Sequence, residues 1–289
     1  MGILDGFKTM LTGGRVDVQS RYEFMREAIS GTMSKFYMAR ERKTGQIVGL
    51  KILDKEKTAA FEARLRGLEK PTEGEIAISL VHPRIVKTLS HGKTFRGEQF
   101  IVMEFMEGPG LNSLLIERSP LLEGKRVTLI RHAAEALLAV HASGYIHRDI
   151  CPRNLMATTP AVDEIKLIDF GLTLPATKLF MQPGNRTGSP NYMAPEIVRR
   201  LKTDQRVDIF SFGVTAYEIC TYELPWDRGN TGQIAMVHAS TEPRDIRRYR
   251  PDINPTLAHA ITRSIARDPN QRFSTIDEFL TVIRGVEDF

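Results

Sequence analysis

Hydrophobic and polar residues follow two different rhythms along this 289-residue chain. In the first third, Phe36–Arg40, Ile47–Leu53 and Phe100–Phe105 are short apolar runs rich in β-branched and aromatic residues, which predict strands. Thr44-Gly45 between the first two predicts a hairpin turn. Phe61, Leu65 and Leu68 recur at helical spacing until Gly67 and Pro71 interrupt, and a second short helix is predicted from Pro71 toward His82-Pro83. After Gly108-Pro109-Gly110 the rhythm becomes helical. Val127, Ile130, Ala134 and Leu138 mark one face of a helix that stops near Gly144. Val207–Tyr222 is apolar nearly all round, with Asp208 and Glu218 its only charges, which predicts a helix buried at the centre of its lobe. The expectation is an α+β, bilobal fold: a β-rich N-lobe over about residues 21–106, a Gly/Pro hinge, and a mainly helical C-lobe over about 107–289.

Residues 1–20 stand apart as an extension. Ile3, Leu4, Phe7, Met10 and Leu11 fall at helical spacing before Gly13-Gly14. One apolar stripe with Lys8 as its only positive charge makes a poor membrane anchor. Gly2 would suit myristoylation, but Gly6 stands where that motif wants Ser or Thr. Residues 3–11 are expected to dock on the chain's own body, with a partner protein as the alternative.

Composition narrows the class. A hydrophobic content of 42% and a charged content of 26% describe a soluble globular protein, and the length suits two lobes sharing a cleft. No apolar run reaches the length of a membrane span and no signal peptide opens the chain. Cys151 and Cys220 are the only cysteines, which argues against a disulfide framework and suits a reducing, cytoplasmic setting. The net charge of +5 is concentrated most densely at Arg244, Arg247, Arg248 and Arg250. Such a run is expected to be a solvated face, and no nucleic-acid partner is expected.

The chemistry concentrates in Tyr145–Asn154, which reads H-R-D-x-x-x-x-N over His147–Asn154 and is followed by Asp169-Phe170-Gly171. One carboxylate, Asp149, can meet a substrate hydroxyl proton, while the Asn154 amide and the Asp169 carboxylate can hold metal ions. A reading as a two-carboxylate hydrolase would need Asp149 and Asp169 to face each other with one raised pKa; the surrounding lysine and asparagine suit phosphate and metal better.

Together with Val48-Gly49-Leu50-Lys51 and Gly188–Glu196, these motifs resemble the eukaryotic-type (Hanks-type) serine/threonine protein kinases over nearly everything from residue 22 onward. The resemblance implies the kinase bilobal fold and ATP-dependent phosphorylation of protein substrates, with Mg²⁺. Lys51 is then the cation on the α- and β-phosphates and Glu73 the carboxylate that holds it, since Glu75 would point to another helix face. Asp149 orients and accepts from the acceptor hydroxyl; Asn154 and Asp169 are the metal ligands; His147 is a structural strut. Gly31, Phe36, Gly49, Lys51, Met103, Glu104 and Met106 form the nucleotide site. Ser189 sits where the family's threonine positions the catalytic aspartate, Glu196 pairs with Arg272, and Asp208 holds the catalytic-loop backbone. Arg148 would meet a phosphate on the activation loop, with Thr187 the first candidate phosphosite and Thr173 and Thr177 behind it.

The pattern also breaks. Counting back from Phe36, the three glycine positions of the phosphate-covering loop hold Ile29, Gly31 and Ser34, so a stiffer roof and weaker ATP affinity are expected. Gly49 replaces the usual alanine, and the adenine is expected to lose a methyl contact worth about 0.8 kcal/mol or less. Cys151 stands where serine/threonine kinases carry lysine. Arg153, at the position where tyrosine kinases carry arginine, is expected to supply the missing charge. Of the acidic positions that select basic substrates, Glu218 matches one while Gly110 and Arg153 stand at two others, so no strong arginine preference is expected. The competing reading is a pseudokinase that binds partners without catalysis. A small-molecule phosphotransferase is disfavoured by Ala194-Pro195-Glu196, which in the resembling family builds a peptide platform.

Overall fold

The structure is a computed structural model that describes residues 15–30, 33–65, 67–184, 187–227 and 240–289. Two compact units divide it: one takes the described residues up to His82 together with Val86–Met106, the other Pro83–Ile85 together with Glu107–Phe289. The amphipathic segment 3–11 and Gly31 lie outside the described residues.

The first unit is a six-stranded sheet in the order β1-β5-β6-β4-β3-β2. Its strands are β1 (Arg15–Val16), β2 (Tyr22–Ser30), β3 (Ser34–Glu41), β4 (Ile47–Leu53), β5 (Thr88–Thr94) and β6 (Gln99–Glu104). Gly45, with φ +74°, makes the β3–β4 turn that the Thr44-Gly45 pair predicts. Side chains alternate across each strand. Ala39, Val48, Leu50, Phe100 and Val102 therefore share one face and pack as a core with Val18 and Tyr22. The other face carries Gly49 and Lys51, with Met103 in register opposite Gly49 and Phe36 opposite Lys51.

β2 and β5 lie outside the apolar runs that predicted strands, and two smaller features escape the hydrophobic pattern as well. β1 runs parallel to β5 as an edge strand, and α1 (Val18–Arg21), capped by Asp17, delivers Val18 to the core. Both are too short to show a period. Two helices follow, α2 (Lys55–Ala63) and α3 (Glu73–Ser79). The helix expected from Pro71 is shorter than its segment, because Thr72 caps it and the chain is extended again at Leu80.

In the second unit, α4 (Leu111–Ile116) precedes α5 (Arg126–Ala142), and Gly144 at φ +79° turns the chain into β7 (Tyr145–Ile146). Leu138 is only half-buried; Leu137 takes the buried place. Then come β8 (Leu155–Ala157), β9 (Ile165–Leu167), β10 (Leu174–Pro175), α6 (Pro195–Val198), α7 (Arg206–Thr221), α8 (Pro255–Ser264) and α9 (Ile276–Val282). Every residue of α7 after Arg206 is buried, which accounts for its lack of a polar face. The basic run is answered locally by carboxylates: Arg244 pairs with Asp227, Arg247 with Asp245 and Arg250 with Asp252. No helix among the described residues is long and apolar enough to cross a membrane.

Candidate active site

Within the sheet unit, β4 points Lys51 at the first residue of α3. Its Nζ donates to Glu73 Oε1 at 2.6 Å, and both side chains are nearly buried. Geometry upstream makes the pair possible. Gly74 brings α3 close to β5: a Cβ there would lie 2.6 Å from His91 Cβ. Glu75 is occupied in a capping box, with its carboxylate accepting the Thr72 N–H at 2.7 Å and its own N–H donating to Thr72 Oγ1 at 3.3 Å. The Thr72 N–H bond is also the main reason that the Glu75 carboxyl sits below the ordinary range.

Of the other residues expected around a nucleotide in this unit, Phe36 is half-buried and Gly49, Met103 and Met106 are buried. The space beside Gly49 is filled. A methyl there would lie 2.7 Å from Phe36 Cζ and 3.0 Å from Met103 Cγ. Gly49 indeed offers no methyl on this face, and the tip of the Phe36 ring stands where one would project. Glu104 is tied to Lys87, donating its N–H to the Lys87 carbonyl at 2.9 Å and accepting the Lys87 N–H on Oε1 at 2.7 Å. Its side chain is thus a structural tie.

In the helical unit, two small sheets bracket the catalytic loop. β7 pairs with β10, Ile146 opposite Leu174, and β8 pairs with β9, Leu155 opposite Leu167. The second pairing continues as the Ile168 N–H donates to the Asn154 carbonyl at 3.0 Å, which sets Asn154 opposite Ile168, the residue before Asp169. Asp208 anchors the loop from α7. It has no exposed surface, and it accepts the N–H groups of His147 and Arg148 at 2.7 Å each while His141 Nε2 lies 2.9 Å from Oδ2. This network satisfies a charge that burial alone would make costly. It also holds Arg148 at φ +69°, a left-handed conformation that a non-glycine residue adopts only under constraint.

The Asp149 carboxylate is held on both sides. Oδ1 accepts the Ser189 N–H at 2.7 Å and Oδ2 accepts Asn154 Nδ2 at 3.0 Å. Asn154 Nδ2 also donates to the Asp149 carbonyl at 2.7 Å. Ser189 thus positions the aspartate with its backbone; its hydroxyl accepts from the Arg153 guanidinium at 2.7 Å. Cys151 Sγ lies 3.6 Å from the same hydroxyl and is fully buried. Burial first, then the charge of Asp149, pushes the Cys151 thiol up to about 11, so it is a neutral packing group at physiological pH. His147 is buried, its Nδ1 accepts the Asp149 N–H at 3.2 Å, and its ring meets Phe170 edge-on at 5.5 Å. Burial lowers its pKa despite the surrounding carboxylates, in keeping with a strut. Asp169 Oδ1 accepts the Gly171 N–H at 2.9 Å.

The candidate phosphosites separate by environment. Thr177 is exposed and Thr187 is half-buried with an enclosed hydroxyl. Thr173 is corrected as a site: it has no exposed surface and its hydroxyl lies 3.5 Å from the His147 carbonyl. Glu218 is buried and accepts the Tyr192 hydroxyl at 2.5 Å, so a role in reading basic substrates has a structural competitor. Arg272 forms a two-pronged pair with Glu196 at 2.7 and 2.9 Å. A pocket of about 530 Å³ opens beside Glu196, Arg199, Trp226 and Arg267; no catalytic-loop residue lines it.

Asp169 and Asn154 offer hard oxygen donors, and no group of three or more His, Cys, Asp or Glu residues among the described residues could hold a metal by itself. That set suits an ion that keeps waters and phosphate oxygens in its shell, as Mg²⁺ does.

The chain matches the protein kinase domain family over residues 22–282. It is 30% identical to Serine/threonine-protein kinase pkn3 of Myxococcus xanthus, over 92% of this chain and 50% of that protein. It is 28% identical to Serine/threonine-protein kinase PrkC of Bacillus subtilis, over 96% of this chain and 42% of that protein. With Serine/threonine-protein kinase PknD of Mycobacterium tuberculosis it shares 30% identity over 87% of this chain and 37% of that protein. The chain thus spans between about a third and a half of the length of these relatives. A match across the sheet unit and the helical unit alike, joined to a Lys51–Glu73 pair and a catalytic loop anchored by Asp208, leads to one conclusion: this chain belongs to the protein kinase family, as a serine/threonine protein kinase domain.

Proposed function

We propose that this chain transfers the γ-phosphoryl group of ATP to serine or threonine hydroxyls of protein substrates. The observation that carries the proposal is the Asp149 carboxylate, fixed by the Ser189 N–H and by Asn154, on a loop pinned to buried Asp208. Asp149 orients the acceptor hydroxyl and takes its proton as the oxygen attacks phosphorus. Lys51, held by Glu73, neutralises the α- and β-phosphates. Arg153, seated on the Ser189 hydroxyl beside Asp149, supplies the positive charge that Cys151 cannot. Asn154 and Asp169 are the residues that would hold magnesium, which neutralises charge on the β- and γ-phosphates when bound. The work is positioning and charge neutralisation.

The competing reading is a pseudokinase, favoured by one observation: a neutral buried thiol stands at the usual lysine position. Mass spectrometry after incubation with Mg·ATP and a generic protein substrate separates the two. Phosphate gained on serine or threonine by wild type, and lost by orders of magnitude in Asp149→Ala, is the expected outcome. No transfer from a folded protein that binds Mg·ATP would leave the pseudokinase reading standing.

A further inference from the structure

Phe36 and Gly49 depart together from the family's usual residues at two neighbouring positions. The motif of the glycine-rich strand ends in valine where this chain has Phe36, and the lysine strand carries alanine where it has Gly49. The two lie on adjacent strands: β3 and β4 pair with Met38 opposite Gly49 and Phe36 opposite Lys51, so Phe36 sits diagonally across from Gly49 on the same face. The contact is close. A methyl on Gly49 would fall 2.7 Å from Phe36 Cζ and 3.1 Å from Phe36 Cε2, with Met103 Cγ at 3.0 Å on the other side. Gly49 is buried while Phe36 is half-buried, so the ring covers the glycine and still keeps part of its surface open.

We infer that Phe36 and Gly49 act as one exchanged pair, in which the aromatic ring on β3 provides the apolar surface that a methyl on β4 would otherwise offer a nucleotide base. Phe36 is then a specificity-determining contact for a flat heteroaromatic base. This rests on the reading of the chain as an adenine-nucleotide enzyme. The physical reason is volume. With the ring where it stands, a methyl on residue 49 would overlap its tip, so the larger residue on one strand favours the smaller on the other. The exchange also changes the chemistry of the surface. A ring offers a π-face on which a base can stack, which an aliphatic pair does not.

The consequence is a coupling that either residue alone would not reveal. In Gly49→Ala the ring tip must swing off the sheet, toward the space a base would occupy. In Phe36→Val the stacking surface is lost and the glycine is left uncovered. Phe36→Val with Gly49→Ala restores the aliphatic pair.

Calorimetric titration with Mg·ADP, with thermal melting to verify folding, tests this. Each single variant is expected to bind about tenfold more weakly than wild type, one decade of affinity being the scale of a lost base contact. The double variant is expected to return to within about threefold, the mark of coupled neighbours. Magnesium pyrophosphate, which has no base, should bind all four proteins alike. Phe36→Leu, a milder change that keeps apolar bulk without a flat face, should lose ADP affinity and keep its melting temperature. Losses that multiply in the double variant, single variants that bind as wild type does, or equal losses for pyrophosphate would overturn the pairing while leaving the kinase reading intact. A wild-type protein that binds no adenine nucleotide would overturn both.

Discussion

Asp208 is the clearest case of one side chain organising chemistry that it does not perform. Burial works against its ionisation, yet the His141 hydrogen bond and charge, His147 and the Arg148 N–H together hold its carboxyl below the ordinary range. The sign of the pH effect follows. A depressed folded value gives stabilisation that is complete above the unfolded value of about 4 and is lost as pH falls through the folded one. Urea denaturation of wild type is therefore expected to show falling stability on acidification below about pH 4, with a shallower slope in Asp208→Asn. That variant should also lose about 3 kcal/mol at neutral pH, because the loop N–H groups and His141 lose a charged partner. At the neighbouring position, Arg153→Ala should lower kcat by about 10²-fold, the scale of removing one donor from a developing charge. Arg153→Lys should recover part of the loss; an Arg153→Ala enzyme with wild-type turnover would refute the role. The sequence marks Arg153 and Ser189 as neighbours of Asp149 only through the family's pattern. That the serine uses its N–H for Asp149 and its hydroxyl for Arg153 is a matter of backbone placement across 36 residues of chain.

At the scale of elements, the Lys51–Glu73 pair depends on the helix that starts at Glu73. The capping box of Thr72 and Glu75 satisfies N–H groups at the end of a seven-residue helix too short to be stable alone. Thr72→Ala is expected to cost about 1 kcal/mol in chemical denaturation, the usual value of a lost cap. It should also raise the ATP KM, since it loosens the turn that carries Glu73. Glu75→Gln keeps a hydrogen-bonding side chain and should cost less on both measures. The choice of Glu73 over Glu75 was open to sequence reasoning because helix faces are periodic. The closeness of α3 to β5 was not, because it turns on Gly74 meeting His91 across 17 residues of chain. The same limit explains Gly49. Its strand and face are legible from alternation, whereas the ring that fills its methyl space comes from another strand.

For the molecule as a whole, ligand linkage is the most direct check on the assembled function. A nucleotide that binds only folded protein stabilises it by about 2.7 kcal/mol at a hundredfold excess over its Kd. Melting scans with Mg·ATP are therefore expected to show a rise in midpoint that EDTA diminishes and that Lys51→Met and Asp169→Ala largely abolish. No shift in wild type at millimolar Mg·ATP would contradict the nucleotide reading. The relatives it matches are two to three times longer than the part they share with it.

The strands β3, β4 and β6, the helices α5 and α7 with the buried character of Val207–Thr221, and the identity of the His147–Asn154 and Asp169–Gly171 motifs are legible in the chain alone, because periodicity and local spacing are properties of neighbours in sequence. Tertiary structure decided which groups meet: Asp208 with His147 and Arg148, Ser189 with Asp149, Phe36 with Gly49, Glu196 with Arg272. Those partners lie between 13 and 76 residues apart, and only packing, which fixes distances that no local pattern encodes, could bring them within reach.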